Sequence, residues 1–340
     1  MNTRYLLQSA AERLDADVEP LLIRDPKTDA VTSIGAGVWF AGDLEQISSK
    51  LLTVHRPPLN GMKLFPVSSE VIPGARQFTR RMVELLGYAS MIADYADDLP
   101  AADAVVSSET VDIKDLGSSF MYNLSEIEAA RAAAQIRRGP GISLQTQRAF
   151  AARKANETKV NDIVWHGLPE AGLYGVLTTP SVPRYVIGIA SAGATMAAVD
   201  ATVTAICSFF NGVSDDTGTA EQANRLLMSA KLHNSFGTRF RTNTDSSILD
   251  QIVKGCSGLK SIDDIIPVRE LDGAGDAGGD ALIADSRDEG VMSIVLPKPL
   301  DQRPAQERNL AWKVNVVTSC GGVTSDYPQG MKIGEMTNAL

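Results

Sequence analysis

The stretch that decides the fold is Ser143-Leu-Gln-Thr-Gln-Arg-Ala-Phe-Ala-Ala-Arg-Lys-Ala-Asn-Glu-Thr-Lys-Val-Asn-Asp-Ile-Val-Trp-His-Gly167. It contains no proline, and its only glycine is Gly167, which suits the left-handed position that ends a helix. Ser143 suits the N-cap at the other end. The pattern therefore predicts a helix over 143–167 that is roughly 36 Å long, far longer than the three turns of an average helix.

Only a narrow apolar stripe runs along this helix. It consists of Ala149, Ala152, Val160, Ile163 and Val164, and Asn156 interrupts it. Charged side chains cover most of the remaining surface. A long helix of this kind is typical of one that lies across a sheet or along a neighbouring subunit, because a bundle would require a wider apolar face. We therefore predict that the helix, and the protein as a whole, has a structural role.

The composition is that of an ordinary globular protein. The chain has 340 residues, of which 44% are hydrophobic and 21% charged, enough for one large or two medium domains. The net charge of -9 argues against a general nucleic-acid-binding protein. No apolar run reaches the roughly 18 residues of a membrane helix, and the N-terminus lacks the pattern of a signal peptide.

The cysteines and histidines do not suggest a metal site. The cysteines are odd in number, far apart and never in a Cys-x-x-Cys pair: Cys207, Cys256 and Cys320. We expect them to be reduced, structural thiols of a protein made in a cytoplasm. The histidines are His55, His166 and His233. They share no ligand spacing with one another or with the cysteines, which excludes a typical zinc site.

The first third of the chain predicts extended segments with little core of their own. Residues 1–38 indicate an extended arm with a short helix near Ala10–Leu14, and a further helix is predicted over Asp43–Leu52. Gln77–Met91 favours a long strand or strand pair, and Val111–Asp115 alternates with the period of a strand. We expect a polar, two-stranded excursion here, which requires a neighbour because an isolated hairpin is marginally stable.

The rest of the chain mixes helices and strands. A capping box at Ser125-Glu-Ile-Glu128 predicts a helix to Ile136, and a second buried helix is predicted over Ala192–Phe210. The later elements are a capped helix at Asp245–Val253 and strands at Arg225–Ser229, Asp264–Leu271, Ala281–Ala284, Val291–Leu296, and a final pair, Leu310–Thr318 with Cys320–Thr324. The fold class is therefore α+β.

A glycine-rich loop, Gly273-Ala-Gly-Asp-Ala-Gly278, matches the Gly-x-Gly-x-x-Gly pattern of dinucleotide-binding proteins. That pattern requires a helix after it, whose N-terminus faces the phosphates. Here a strand is predicted on both sides, and Asp276 and Asp280 would place negative charge beside the phosphates. A flexible hairpin loop is the favoured interpretation.

The remaining polar clusters favour structural interpretations. Asp94, Asp97 and Asp98 lack the spacing of a calcium loop, so we favour a solvated loop over an ion site that stabilises a lattice. His166 is expected to cap or pack. The arginine pairs are expected to form ion pairs between subunits: Arg80-Arg81, Arg137-Arg138 and Arg239-x-Arg241. We expect no catalytic residue, no cofactor and no resident metal.

Several segments, taken together, resemble a family of major capsid proteins of tailed bacteriophages and prophages. They are, in order, 64–69 with 73–75, 92–100, 122–130, 151–157, 161–167 with 173–180, and 320–323. The resemblance runs co-linearly over about residues 40–328. It implies the Hong Kong 97-like capsid fold, in which an arm, an extended β-hairpin loop, a peripheral domain with a spine helix and an axial domain follow one another.

The resemblance implies the following division of this chain. The N-terminal arm is 1–50, the extended loop is 64–118, and the axial domain is 190–305. The peripheral domain is 119–189 with 306–340 and includes the spine helix 143–167. The segment before the matched region is too short for the cleaved scaffolding segment of some relatives, so we expect an uncleaved arm. We expect no Lys-Asn crosslink between subunits.

The function implied is that of a shell protein. Hexamers and pentamers would form an icosahedral capsid around double-stranded DNA that is contacted weakly, in a virion assembled in the bacterial cytoplasm. Portal, scaffolding and cement proteins are the expected further partners, and no membrane is expected. The alternatives are an encapsulin-like compartment with an enzyme cargo, a nucleotide-binding enzyme that uses the loop at 273–278, and a tail or baseplate protein.

Overall fold

The structure is a computed structural model that describes residues 22–24, 31–33, 54, 56–91, 100–136, 144–188, 196–240, 245–275 and 278–336. By its internal contacts the chain divides into two units, Met1–His55 and Arg56–Leu340. In the first unit the described residues, apart from Val54, are two antiparallel strands, β1 (Leu22–Arg24) and β2 (Val31–Ser33). The helices predicted near Ala10–Leu14 and over Asp43–Leu52 lie outside the described residues.

The second unit mixes helices and strands as the sequence predicts. Its helices are α1 (Gly61–Leu64), α2 (Leu124–Ile136), α3 (Leu144–His166), α4 (Met196–Asp216), α5 (Ala230–Thr238) and α6 (Ile248–Gly255). Its strands are β3 (Gln77–Leu86), β4 (Asp103–Asp112), β5 (Lys114–Asn123), β6 (Arg184–Ile187), β7 (Arg225–Ser229), β8 (Ile265–Val268), β9 (Ala281–Asp285), β10 (Ser293–Ile294), β11 (Lys298–Gln302), β12 (Gln306–Arg308), β13 (Ala311–Cys320), β14 (Val323–Thr324) and β15 (Lys332–Met336).

Helix α3 confirms the long helix predicted from the opening stretch, although Ser143 lies outside the described residues. The helix ends at Gly167, whose φ of +73° is the left-handed conformation expected there. After Gly167 the chain turns back, and the N–H groups of Val176 and Leu177 donate to the carbonyls of Val164 and Trp165. The last turn of the helix is therefore closed by the segment that follows it.

Helix α3 lies across a sheet, as its narrow stripe predicts. Strand β13 pairs antiparallel with β5 along its whole length, and its other edge pairs with β11 and β12. Ser118 on β5 donates to the carbonyl of Ala152 at 3.1 Å, and Asn156 donates to the carbonyl of Val316 at 3.3 Å. Asn156 therefore does not interrupt the buried stripe, because it is buried there and bonds to the sheet.

A second sheet has the strand order β6-β15-β9-β7-β8. The central pairs β15/β9 and β7/β9 are antiparallel, whereas β6/β15 and β7/β8 are parallel. Alternate residues of β7 face opposite sides of this sheet. Leu227 joins the core that contains Trp165, and Leu226 and Met228 join the core formed with α4 and α6. Apolar side chains therefore cover both faces of the sheet.

Two predicted helices differ at their boundaries. Helix α2 begins at Leu124, before the predicted capping box, and it is Glu126 that accepts from the backbone N–H of Asn123. Helix α4 continues past Phe210 to Asp216, since Gly212 does not break it. A Cβ at Gly212 would lie 2.7 Å from Nζ of Lys332, the end of a flexible side chain that would have to shift.

Three strand predictions were also too long or wrongly paired. The strand predicted at Asp264–Leu271 is β8 followed by a 3-10 turn at Arg269–Leu271, and only Ser293–Ile294 of Val291–Leu296 is strand. The final pair was wrong. Strand β13 pairs with β5, and β14 pairs with β10. Partners so far apart in sequence leave no local signal.

Candidate assembly surface

Strands β3 and β4 form a two-stranded antiparallel hairpin whose base is fixed to the body of the second unit. Arg80 binds Asp326 at 2.6 Å and donates to Ser293 at 2.9 Å. Its guanidinium lies 5.3 Å from the centre of the Phe78 ring. Phe78 in turn packs against a small core of Val71, Ile113 and Val295. The hairpin therefore leaves the body in a defined direction.

Beyond Arg80 the hairpin exposes apolar side chains on both faces. Val83 pairs with Val106 on one face, and Leu85 lies beside them; these three side chains are 60%, 63% and 81% exposed. Met82, Leu86 and Val105 are exposed on the opposite face, because side chains alternate along a strand. The prediction of a two-stranded excursion is confirmed, but its expected polar character was wrong for this part.

We call the exposed apolar residues Met82, Val83, Leu85, Leu86, Val105 and Val106 the hairpin tip. A two-stranded hairpin with apolar side chains on both faces does not form a core by itself. Contiguous exposed apolar surface of this kind marks an interaction site. The tip is therefore the candidate functional surface.

A second exposed surface is the charged side of α3. Its ion pairs are Arg153 with Glu157 and Lys159 with Asp162, and the ring of His166 also lies beside Asp162. Exposed pairs of this type contribute little to stability but keep the helix surface polar. His166 was expected to cap or pack; its side chain is exposed and 3.3 Å from Asp162, whereas the neighbouring Trp165 is fully buried.

The N-terminal half of α3 is joined to α2 and β5 through one arginine. Arg148 binds both carboxylate oxygens of Glu126, at 2.7 and 2.9 Å, and donates to the carbonyl of Met121 at 2.6 Å. The hydrogen bonds from Arg148, with that from the Asn123 backbone, lower the pKa of Glu126 to about 2. The carboxylate therefore stays ionised far into acid.

A groove of about 570 Å³ runs beside this half of α3. Phe120, Tyr122, Ala149 and Val314 supply an apolar floor, and Arg303 contributes a positive charge at its edge. Tyr122 is stacked on Trp312 with ring centres 5.9 Å apart, which makes the floor rigid. The groove is open and shallow, unlike the enclosed pocket of an enzyme that binds a small molecule.

A buried ion pair fixes the segment before the hairpin to the five-stranded sheet. Arg225 on β7 binds both oxygens of Asp285 on β9, at 2.7 and 2.5 Å, and donates to the carbonyl of Leu64. Burial raises the pKa of Asp285, and the bonds from Arg225 oppose that rise. The pair positions Phe65 against Trp165, so its role is structural.

The glycine-rich loop does not have the geometry of a dinucleotide site. The element that follows it is strand β9 and not a helix. Asp280 is buried, and its carboxylate accepts from the N–H of Gly273 at 2.8 Å and from Ser229 at 3.0 Å. The expected hairpin was also wrong, because β7 lies between β8 and β9 in the sheet.

The other residues considered from the sequence are distributed over the molecule. Arg80 was expected to form an ion pair between subunits, but it binds Asp326 of its own chain. Several of these residues lie outside the described ranges: Asp94, Asp97, Asp98, Arg137, Arg138 and Arg241. Among the residues that the structure describes, no group of three or more His, Cys, Asp or Glu is placed to hold a metal ion.

Sequence reasoning missed the apolar tip. The available signal was the apolar content of 82–86 and the Val105-Val106 pair. As to membranes, none of the helices in the described ranges has the length and apolar character needed to span one.

Comparison with known proteins gives a consistent result. A family model described as "Major capsid protein" matches residues 87–333. A search of curated proteins finds no match. Among solved structures, the capsid of Myoviridae phage XM1 is similar with a TM-score of 0.70 and 15% identity, over 88% of this chain and 99% of that chain.

Two further solved structures show the same similarity. One, from Mycobacterium phage Adephagia, has a TM-score of 0.56 and 13% identity over 87% of this chain and 95% of that chain. The other, the capsid of a native GTA particle, has a TM-score of 0.59 and 10% identity over 86% of this chain and 95% of that chain. At such identities these matches carry information about the fold alone.

Proposed function

Because the matched residues 87–333 make up more than half of the chain, the chain belongs to the major capsid protein family, and we propose that it assembles as hexamers and pentamers into an icosahedral shell. The α+β, Hong Kong 97-like fold predicted from the sequence is confirmed by the capsid structures. The protein is a structural component of a phage virion. We further propose that the shell encloses double-stranded DNA.

We propose the following roles for the parts of the chain. Residues 1–50 form the arm, and the extended loop expected at 64–118 projects from the body as the hairpin of β3 and β4. Helix α3 is the spine of a peripheral domain, 119–189 with 306–340. The axial domain is 190–305 and contains strands β7, β8 and β9 of the five-stranded sheet. The anchoring of the hairpin by Arg80 supports a loop that projects from the body beyond that residue.

The observation that carries the proposal is the hairpin tip. Its apolar side chains are exposed on both faces although its base is held rigidly. We propose that the tip inserts between parts of neighbouring subunits, where burial of those side chains stabilises the contact. At about 25 cal/mol per Å² of apolar surface, burial of a few such side chains contributes several kcal/mol per subunit. Repetition around each capsomer makes weak contacts collectively strong.

The charged side of α3 is the surface that we propose neighbouring arms or hairpins cross. Its ion pairs lie within the chain, so it needs no partner for stability but presents charges of both signs. Polar contacts of this type contribute orientation more than affinity. A hairpin with an apolar tip and a polar base fits such a surface, since only the tip requires full burial.

The net charge agrees with a shell around DNA. At a formal charge of -9 the protein neutralises few phosphates, so we propose that it contacts the genome weakly and without sequence preference. Portal, scaffolding and cement proteins are proposed as further partners, and assembly is proposed to take place in the host cytoplasm.

Three alternatives are less supported. An encapsulin-like compartment shares the fold, but the family match favours the virion. A nucleotide-binding enzyme is disfavoured because Asp280 and Gly273 close the glycine-rich loop on itself. A tail or baseplate protein does not account for a match to the capsid family.

Electron microscopy of the purified protein tests the proposal. The wild-type chain is expected to form uniform shells, and the double variant Val83→Asp/Leu85→Asp is expected to remain as folded, unassembled subunits. The charges prevent burial of the tip without touching the body. Shells formed normally by the double variant would show that the tip is not an assembly contact.

Ser108→Asp is the matched control. Ser108 is exposed on the same face of the hairpin, opposite Arg81, but outside the apolar tip. The Ser108→Asp variant adds the same kind of charge to the same strand pair but leaves the apolar tip unchanged, so it is expected to assemble. Far-ultraviolet circular dichroism of all variants verifies that each subunit is folded.

A further inference from the structure

Two of the three cysteines meet in the core between α4 and α6. Cys207 lies in α4, and Cys256 directly follows the last residue of α6. Although they are 49 positions apart, their sulfur atoms are 3.3 Å from each other, and both are buried as free thiols. Cys320 lies in β13 and belongs to the other core.

The backbone on both sides of Cys256 is fixed relative to α4. Asn211, one turn after Cys207, donates to the carbonyl of Gly255 at 3.3 Å and accepts from the N–H of Ser257 at 3.1 Å. The N–H of Cys256 donates to the carbonyl of Ile252 at 2.9 Å. The two sulfurs are therefore held together by a frame that does not depend on the thiols.

Gly255 makes the approach possible. A Cβ at this position would lie 2.6 Å from the sulfur of Cys207. Any larger residue would push the sulfur away from the end of α6. The combination of Gly255, Asn211 and the two cysteines thus brings the thiols into direct contact.

We infer that Cys207 and Cys256 are an oxidation site at which a peroxide converts the two thiols into an intrachain disulfide. A disulfide has a sulfur–sulfur distance of about 2.05 Å, so the sulfurs must approach by only about 1.3 Å. Rotation of the two side chains within the fixed frame supplies that movement.

The reaction balances in two steps. The Cys207 sulfur attacks one oxygen of hydrogen peroxide, which gives a sulfenic acid and one water. The Cys256 sulfur then attacks the Cys207 sulfur and expels the hydroxyl group, which leaves as a second water with the thiol proton. The peroxide is reduced and the two thiols are oxidised. The S–H of Cys256 donates to Cys207, and this bond lowers the pKa of Cys207, which makes Cys207 the first nucleophile.

The disulfide would connect α4 to α6 across the core on one face of the five-stranded sheet. Such a link stabilises mainly by restricting the unfolded chain. The timing rests on the proposed function: the thiols stay reduced in the host cytoplasm and oxidise after the particle is released into an oxidising medium. The chemistry of the pair does not depend on assembly.

The test treats the purified full-length protein with hydrogen peroxide, unfolds it in an alkylating reagent and measures its intact mass. One alkylated thiol, Cys320, is expected after oxidation, and all three are expected after subsequent treatment with a dithiol reductant. A peptide that joins Cys207 to Cys256 is expected in the digest. Three alkylated thiols after oxidation, or a disulfide that involves Cys320, would overturn the inference.

Two variants sharpen the result. Cys320→Ser is expected to form the same disulfide as the wild type. Cys256→Ser is expected to stop at the sulfenic acid of Cys207, which dimedone traps. Oxidation should raise the melting temperature of the wild type and of Cys320→Ser by roughly 10 °C and leave Cys256→Ser unchanged. An equal change in melting temperature of the wild type and both variants would contradict a disulfide between the helices.

These measurements report on the thiols and the stability of the single chain and do not require an assembled shell. Failure of the wild type to form shells would count against the proposed function alone, and three reactive thiols after oxidation would count against the inference alone.

Discussion

At the scale of single residues, Gly167 shows how tightly the end of the spine helix is packed. Its backbone is left-handed, and a Cβ there would lie 2.5 Å from the carbonyl oxygen of Leu173. Gly172 has a similar φ of +69°, but a Cβ at that position would meet nothing within 4 Å. A comparison of the two positions therefore distinguishes the cost of a left-handed backbone from the cost of displacing neighbouring atoms.

We predict that Gly167→Ala lowers the free energy of unfolding by more than Gly172→Ala does. Each variant places a Cβ in the left-handed region, at a cost of about 1–2 kcal/mol. Only Gly167→Ala also forces the returning segment away from α3. Urea unfolding followed by circular dichroism measures both, and equal losses would contradict the packing argument.

Residues whose partners are distant in sequence were the least predictable. Asn156 was taken as an interruption of the apolar stripe, but its partner carbonyl is on Val316, 160 positions away. The contact between Cys207 and Cys256 also has no local signature. Gly167 was predicted correctly because a helix end depends on the residue itself. Local geometry can be read from the sequence, whereas a buried polar contact requires the folded chain.

At the scale of elements, α3 connects parts of the chain that are far apart in sequence. It packs on β5 and β13, and Asn161 accepts from the N–H of Gly61 in α1 at 2.8 Å. Its length and its end followed from the sequence. The strands beneath it were not predicted correctly. The sequence pattern indicated only the first residues of β5, and it paired β13 with the wrong partner. Strand pairing is non-local, so period-two alternation alone could not identify it.

We predict that Ala152→Pro prevents assembly and destabilises the subunit by about 3 kcal/mol or more. Proline removes a hydrogen bond in the middle of α3 and clashes with the preceding turn. Gln145→Pro is the control, because proline is tolerated in the first turn of a helix. Electron microscopy and thermal unfolding distinguish them; normal particles from Ala152→Pro would show that the helix is not the spine.

The contact between α2 and α3 should respond to acid. The folded-state pKa of Glu126 is lowered from 4.5 to about 2, so its contribution to stability is present above pH 4.5 and is lost as the pH falls towards 2. We predict that wild type loses its stability advantage over Glu126→Gln across this range.

Thermal unfolding of both proteins at a series of pH values between 5 and 2 tests this prediction; the range follows from the pKa of Glu126. A constant difference in melting temperature between wild type and Glu126→Gln would contradict it. Glu128→Gln, an exposed position on the same helix, is the control and should follow the wild type.

At the scale of the whole molecule, the body and the hairpin tip have separate tasks. The body contains two cores on opposite faces of one sheet, and the tip adds nothing to either. Overall fold class was predictable because helix and strand patterns and the family resemblance agree. The tip was not, because its apolar residues are meaningful only once the structure shows that they are exposed.

We predict that a subunit without the tip still folds but does not assemble. Met82 and Ser107 are register partners, so replacing residues 83–106 by Asn-Gly closes the hairpin with a tight turn. Thermal unfolding should remain cooperative with a melting temperature close to that of wild type. Size-exclusion chromatography should show no shells, and particles of normal size would contradict the prediction.

The pairing of β5 with β13 also determines at what point during synthesis the subunit becomes able to assemble. Ser319 binds Asp115 across 204 positions, and the anchor of Arg80, Asp326, lies later still. A chain emerging from the ribosome cannot complete the sheet under the spine helix, or hold its hairpin in position, until residues up to Asp326 have been synthesised. Contacts of such long range form slowly but make incomplete chains unable to join a growing lattice. The topology thus acts as a quality check on translation, in which only a polypeptide synthesised past Asp326 presents its hairpin to a neighbour.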